Sequence, residues 1–147
     1  MTVGVSLPLF VLSGCGGGVI EHPEASHAWS EFGLVKPPHV GGWIKAGDGI
    51  GWTVCVEQGH YGHMARKKTW LYVVGCSYDD LPALMCGSSG DKQKIDPYHA
   101  RVTGGSLKRM SKIERVSTPV PFRDVLIRIA QRTRMKKGIY KWQHQPA

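Results

Sequence analysis

Trp52-Thr53-Val54-Cys55-Val56-Glu57-Gln58 and Thr69-Trp70-Leu71-Tyr72-Val73-Val74-Gly75 are the two runs of this chain with the clearest strand character. In the first, Trp52, Val54, Val56 and Gln58 alternate with Thr53, Cys55 and Glu57, the period of two that marks a strand. The second is nearly all apolar and rich in β-branched and aromatic residues, a pattern that predicts a strand buried on both faces in a parallel or mixed sheet. A shorter run, Val19 to His22, predicts a third strand, stopped by Pro23, which has no N–H to give a sheet ladder. Glu21 and Gln58 therefore both stand at strand ends, where open α/β sheets handle their ligands.

After Pro23, Ser26 can cap a short helix in which Trp29 and Phe32 share one face and Gly33 supplies a stop. Residues 36–51, with Pro37-Pro38 and five glycines, read as a loop that is ordered only if Trp43 and Ile44 pack. The linker from Gly59 to Lys68 is too long for a tight hairpin, and its two histidines and three basic residues mark a functional loop. Residues 77–105 show little periodicity and read as a long surface excursion. Near the end, Thr118-Pro119-Val120-Pro121 opens a helix with Thr118 as the capping hydroxyl. Phe122, Val125, Leu126 and Ile129 then recur at i, i+3, i+4 and i+7, with Arg123, Arg128 and Arg132 on the other face. The expected architecture is a loop-rich α/β domain over residues 1–133, with a small mixed or parallel sheet of three or more strands and flanking helices, followed by a basic tail, 134–147.

At 147 residues the chain is long enough for one domain with a real core. Its formal charge of +8 is unevenly spread. Residues 101–147 carry 12 Lys and Arg against 2 acids, whereas residues 1–100 carry 7 against 9. A basic C-terminal third beside a nearly neutral remainder is the footprint of a phosphate-backbone binder, with a solvated basic tail as the plain alternative.

Cys15, Cys55, Cys76 and Cys86 lack CxxC or CxxH spacing, so they read as reduced, mostly buried thiols of a cytoplasmic protein rather than zinc ligands. His60 and His63 have no third ligand placed by spacing, and no metal site is expected. Leu12-Ser13-Gly14-Cys15 matches a bacterial lipobox, which would put a lipid on Cys15. No Lys or Arg precedes the apolar stretch, however, and Leu7 to Leu12 reads equally as a buried element leading into the strand at Val19. No run is long enough to cross a membrane as a helix.

Glu21-His22-Pro23 at the end of an apolar strand, Gln58 followed by His60-Tyr61-Gly62-His63, the series Lys67, Thr69, Leu71 and Tyr72, and Ser117-Thr118-Pro119 before the last helix occur in a telling order. That order resembles the C-terminal half of the catalytic domain of phage-type cytosine-5 DNA methyltransferases, with Glu21-His22-Pro23 in the place of their Glu-Asn-Pro. The resemblance covers about half of the chain. It implies half of a Rossmann-like methyltransferase domain in which Glu21, as catalytic residue, holds the Watson–Crick edge of a flipped cytosine. It further implies that Gln58, His60, His63, Arg66, Lys67, Lys68, Arg123 and Arg128 contact nucleic acid. The plain alternative for Glu21 is a strand-end carboxylate satisfied by a backbone donor or by Lys67 or Lys68.

The family's glycine-rich cofactor turn and Pro-Cys nucleophile do not precede Glu21, and Cys15, six residues upstream, follows no Pro. His22 stands where the family has Asn. The expectation is thus a DNA-binding, methyltransferase-like protein, inactive alone or half of a split enzyme. It would use S-adenosylmethionine only when a second chain supplies the N-terminal half. The competing expectations are a non-enzymatic interaction module of phage or prophage origin and, less favoured, a lipoprotein.

Overall fold

The computed structural model describes residues 9–13, 17–89, 93–94 and 112–133. Cys15, most of 90–105 and the tail 134–147, on which the lipobox, part of the excursion and the basic tail were read, lie outside the described residues. The elements in chain order are β1 (Leu9–Ser13), β2 (Gly17–Pro23), α1 (His27–Glu31), β3 (Ile44–Lys45), β4 (Gly51–Glu57), β5 (Ala65–Arg66), β6 (Lys68–Val74), β7 (Gln93–Lys94), α2 (Lys112–Val116) and α3 (Val120–Arg132). Strands β1-β2-β6-β4-β3 form one sheet in that order, and every neighbouring pair is antiparallel. A separate two-residue pair, β5 with β7, is parallel.

The main sheet thus corrects the expectation of a parallel or mixed one. The cause lies in what the apolar run of β6 reports. Val19, Val54, Val56, Leu71 and Val73 pack on one face of the sheet against Phe122, Leu126, Ile129 and Ala130 of α3. On the other face, Cys55 and Trp70 pack against Trp29 of α1 and Cys86. A central strand covered on both faces needs apolar residues at every position in either direction of pairing, so the run reports burial and carries no information on polarity.

The registers fix which side chains share a row. Glu21 lies opposite Leu71, which lies opposite Val54; Pro23 lies opposite Thr69, which lies opposite Val56. The face beneath α3 therefore grades from apolar at Val19 and Val73 to polar at Glu21 and Thr69, with Gln58 just beyond the end of β4.

In α3 the i, i+4, i+7 residues Phe122, Leu126 and Ile129 are buried as the periodicity predicts, and Val125 is partly buried against them. Pro119, not Thr118, occupies the cap position, and no side chain caps the helix. A proline in the first turn gives up an N–H that has no helical partner, so the cap hydroxyl is dispensable. At the far end α3 comes so close to β2 that a Cβ on Gly17 would stand 2.7 Å from Cβ of Thr133. Glycine is what the approach requires.

Ser26 caps α1 by accepting from the Ala28 N–H at 3.2 Å. Trp29 is buried, and its Nε1 donates to Thr53 Oγ1 at 3.1 Å, which donates in turn to the Leu71 carbonyl at 2.9 Å. Phe32, expected on the same face, is 78% exposed. The helix ends at Glu31, and the turn into Gly33 with φ 65 swings the ring outward. Trp43 does pack, donating from Nε1 to the Pro82 carbonyl at 2.7 Å, and Ile44 pairs with Thr53 in the sheet. The start of the supposed excursion is likewise built in. Tyr78–Asp80 form a 3-10 turn, Leu81 and Leu84 pack on the core, and the Glu57 N–H donates to the Met85 carbonyl at 2.8 Å.

Candidate functional site

Beyond the last apolar row of the sheet, at the N-terminal end of α3, Glu21, Gln58 and Thr69 form one hydrogen-bonded group. Nε2 of Gln58 donates to Thr69 Oγ1 at 2.8 Å and to Glu21 Oε1 at 3.3 Å, joining residues 37 positions apart. The Thr69 hydroxyl donates onward to the Glu21 carboxyl. Gln58 and Thr69 are fully buried and Glu21 partly so. With the amide hydrogens so used, Gln58 Oε1 has no hydrogen-bond partner among the described residues. A buried acceptor left in that condition costs on the order of 1–3 kcal/mol, so the group holds unspent hydrogen-bonding capacity.

Lys67 completes the group. Its Nζ donates to the Ser117 carbonyl just before α3 at 3.1 Å. Burial raises the Glu21 pKa above the ordinary glutamate value, opposed by the Lys67 charge, the Thr69 hydroxyl and His22. Burial lowers the Lys67 pKa, opposed by Glu21. The carboxyl is therefore easier to protonate and the ammonium easier to deprotonate than in water. Together they present a carboxyl that can share a proton, an amide oxygen and a cation within one polar patch.

Glu57, assigned no role by its sequence context, organises the loop beside this patch. It is buried, and its Oε1 accepts from the Gly59 N–H at 3.0 Å and the Lys67 N–H at 2.6 Å, tying both ends of the 59–67 loop to one carboxylate. Its one sequence signal is a charged residue inside an otherwise apolar alternation.

The two loop histidines do not converge. His60 is partly exposed, with Nε2 2.9 Å from the Gly87 carbonyl. His63 is buried, its Nδ1 2.9 Å from the Ala65 carbonyl and 3.1 Å from the Ala65 nitrogen, and the Glu114 backbone of α2 holds the ring as well. Burial depresses its pKa. Tyr61, between them, packs on Phe122 with centroids 5.3 Å apart. Among the described residues no group of three or more potential metal ligands occurs.

Of the remaining basic residues, Arg66 and Lys68 are half-buried beside the loop, in β5 and β6. Arg123 and Arg128 are exposed on α3, Arg123 lying 3.3 Å from Asp124 in a surface pair. Arg132, at the other end of the helix, donates to the Asp80 carbonyl at 3.2 Å. Lys67 and Arg132 thus stand at opposite ends of a helix roughly 20 Å long, with Arg123 and Arg128 between them.

Comparison with known proteins finds no matching family, no matching curated protein and no matching solved structure.

Proposed function

We propose that this chain binds nucleic acid, holding an unpaired base, cytosine above all, against Glu21 while basic side chains beside the patch and along α3 meet the phosphate backbone. The observation that carries the reading is the union of Glu21, Gln58 and Thr69, residues far apart in sequence, in one hydrogen-bonded group next to Lys67. A cytosine edge offers an exocyclic amine that donates and a ring nitrogen that accepts. A carboxyl that shares a proton answers the ring nitrogen, and its second oxygen, or the unpartnered Gln58 Oε1, answers the amine.

Among the described residues no cysteine stands at the Glu21 patch as a nucleophile for methyl transfer. Cys55 and Cys86 are buried on the opposite face of the sheet, and burial holds the Cys76 thiol up at about 11. In the methyltransferase-like reading, a second chain brings the nucleophile and the S-adenosylmethionine site. This chain supplies base handling.

A second reading, a protein-interaction module without nucleic acid, draws on Ile113, Val116 and Val120, which are exposed in α2 and at the start of α3. Fluorescence anisotropy with a labelled duplex at 50 to 200 mM salt separates the two. Nucleic-acid binding predicts an affinity that falls with salt, and Arg128→Ala should reduce the slope of log K against log salt by about 1. Absence of binding at 50 mM salt would leave the interaction module standing.

A further inference from the structure

The face of the sheet turned away from α3 holds two thiols that the proposed site does not use. Cys55 in β4 is 0% exposed and Cys86 is 2% exposed, and both belong to one cluster with Trp29 and Trp70. They come from separate parts of the chain, yet they lie together in that one buried cluster, where the strand carrying Cys55 runs beside the segment carrying Cys86. The backbone on either side of Cys86 is already fastened to β4 and the turn after it. The Met85 carbonyl accepts from Glu57 N–H at 2.8 Å, and the Gly87 carbonyl lies 2.9 Å from His60 Nε2. Ser89 presses so closely on Gly59 that a Cβ there would lie within 2.7 Å of the Ser89 Cβ. Two thiols in one buried cluster, on segments pinned to each other on both sides, are placed to form a bond once both sulfurs turn toward it.

We propose that Cys55 and Cys86 form a reversible dithiol–disulfide couple, oxidised by a low-molecular-weight disulfide, that locks residues 84–89 onto β4 and the turn carrying Gln58. Cys86 is the attacking sulfur, because it rides on the 84–89 segment, whose opening exposes it, whereas Cys55 stays within β4; burial raises the pKa of both thiols, so attack waits on that opening. Its thiolate attacks one sulfur of the small disulfide, whose S–S bond breaks and releases one small thiolate. Cys55, deprotonated in turn, attacks the Cys86 sulfur of the mixed disulfide and expels the second small thiolate. The two protons given up by Cys55 and Cys86 end on the two small thiols. The protein pair has lost two electrons and the small disulfide has gained them. Both thiols are buried, so reaction proceeds through transient opening of the 84–89 segment and is slow under native conditions. The couple stands independently of whether the opposite face binds nucleic acid.

The test uses the full chain, reduced, exchanged into buffer containing oxidised glutathione, kept native as judged by circular dichroism, then acid-quenched, alkylated in denaturant and proteolysed. The expected result is a peptide linking Cys55 to Cys86, with Cys76 alkylated and the link lost on treatment with dithiothreitol. Closing the loop from Cys55 to Cys86 should raise the folding equilibrium constant by roughly 500-fold, read as a higher urea midpoint for the oxidised protein. Glutathione adducts without an internal link, bonds through Cys15 or Cys76, an unmodified pair after days of exposure, or an unchanged midpoint would each overturn the proposal. The mapping needs no variant, so a substitution that fails to fold does not weaken it.

Discussion

Glu21 sits where burial opposes its charge, and this has a consequence that can be measured. Its folded-state pKa is raised, so the native chain retains a proton at pH values where the unfolded chain has released it. The contribution to stability is therefore complete below the ordinary glutamate pKa, about 4.3, and is lost as pH rises through the raised value. Glu21→Gln removes that dependence. Urea unfolding at pH 4, 6 and 8 should show the variant gaining on the wild type as pH rises; a difference that shrinks with pH would mean that Lys67 dominates over burial. Glu21 and Gln58 were legible as a pair because each ends a strand pattern. Glu57 was not: its alternation grouped it with Thr53 and Cys55, and its importance comes from two backbone N–H groups, of Gly59 and Lys67, supplied by a stretch that composition reads only as loop.

Among elements, α3 was the most readable, because a wide apolar stripe at helical spacing has one outcome when it meets a sheet. Leu126, fully buried between α3 and the sheet, should cost about 2–5 kcal/mol when changed to Ala, measured by urea denaturation. Thr118 is the contrasting case. A capping hydroxyl would be worth about 1 kcal/mol, but Pro119 holds the cap position, so Thr118→Ala should change stability by less than about 0.5 kcal/mol. A loss of 1 kcal/mol or more would restore Thr118 as the cap. The direction of β6 was not legible, because two covering layers, α3 on one side and Trp29 with Cys86 on the other, demand the same residues of a parallel and an antiparallel strand. Phe32 was misplaced for a different reason: the spacing argument assumes that the helix continues, and α1 stops one residue before it.

For the whole molecule, the sheet separates two packed faces. One carries the α3 core and, at its end, the Glu21 patch; the other carries the tryptophan-lined thiol pair. Among the described residues no helix is long and apolar enough to cross a membrane. The positive charge is concentrated in residues 101–147, which include α3, so in the proposed reading backbone attraction and base handling belong to different residues and should separate on mutation. Arg123→Ala and Arg128→Ala should weaken binding to every oligonucleotide alike. Glu21→Gln should leave that general affinity intact and alter only the choice of base.

The most direct test of base handling by Glu21 is a competition titration. Two duplexes compete for the chain, identical except that a single unpaired base, opposite an abasic site, is cytosine in one and thymine in the other. Base handling by Glu21 predicts that the wild type prefers the cytosine duplex by roughly tenfold or more, the scale of one good base-edge pair. Glu21→Gln, folded by circular dichroism, should lose that preference while binding a fully paired duplex as before. Equal affinity of the wild type for the two duplexes, or an unchanged preference in Glu21→Gln, would contradict it.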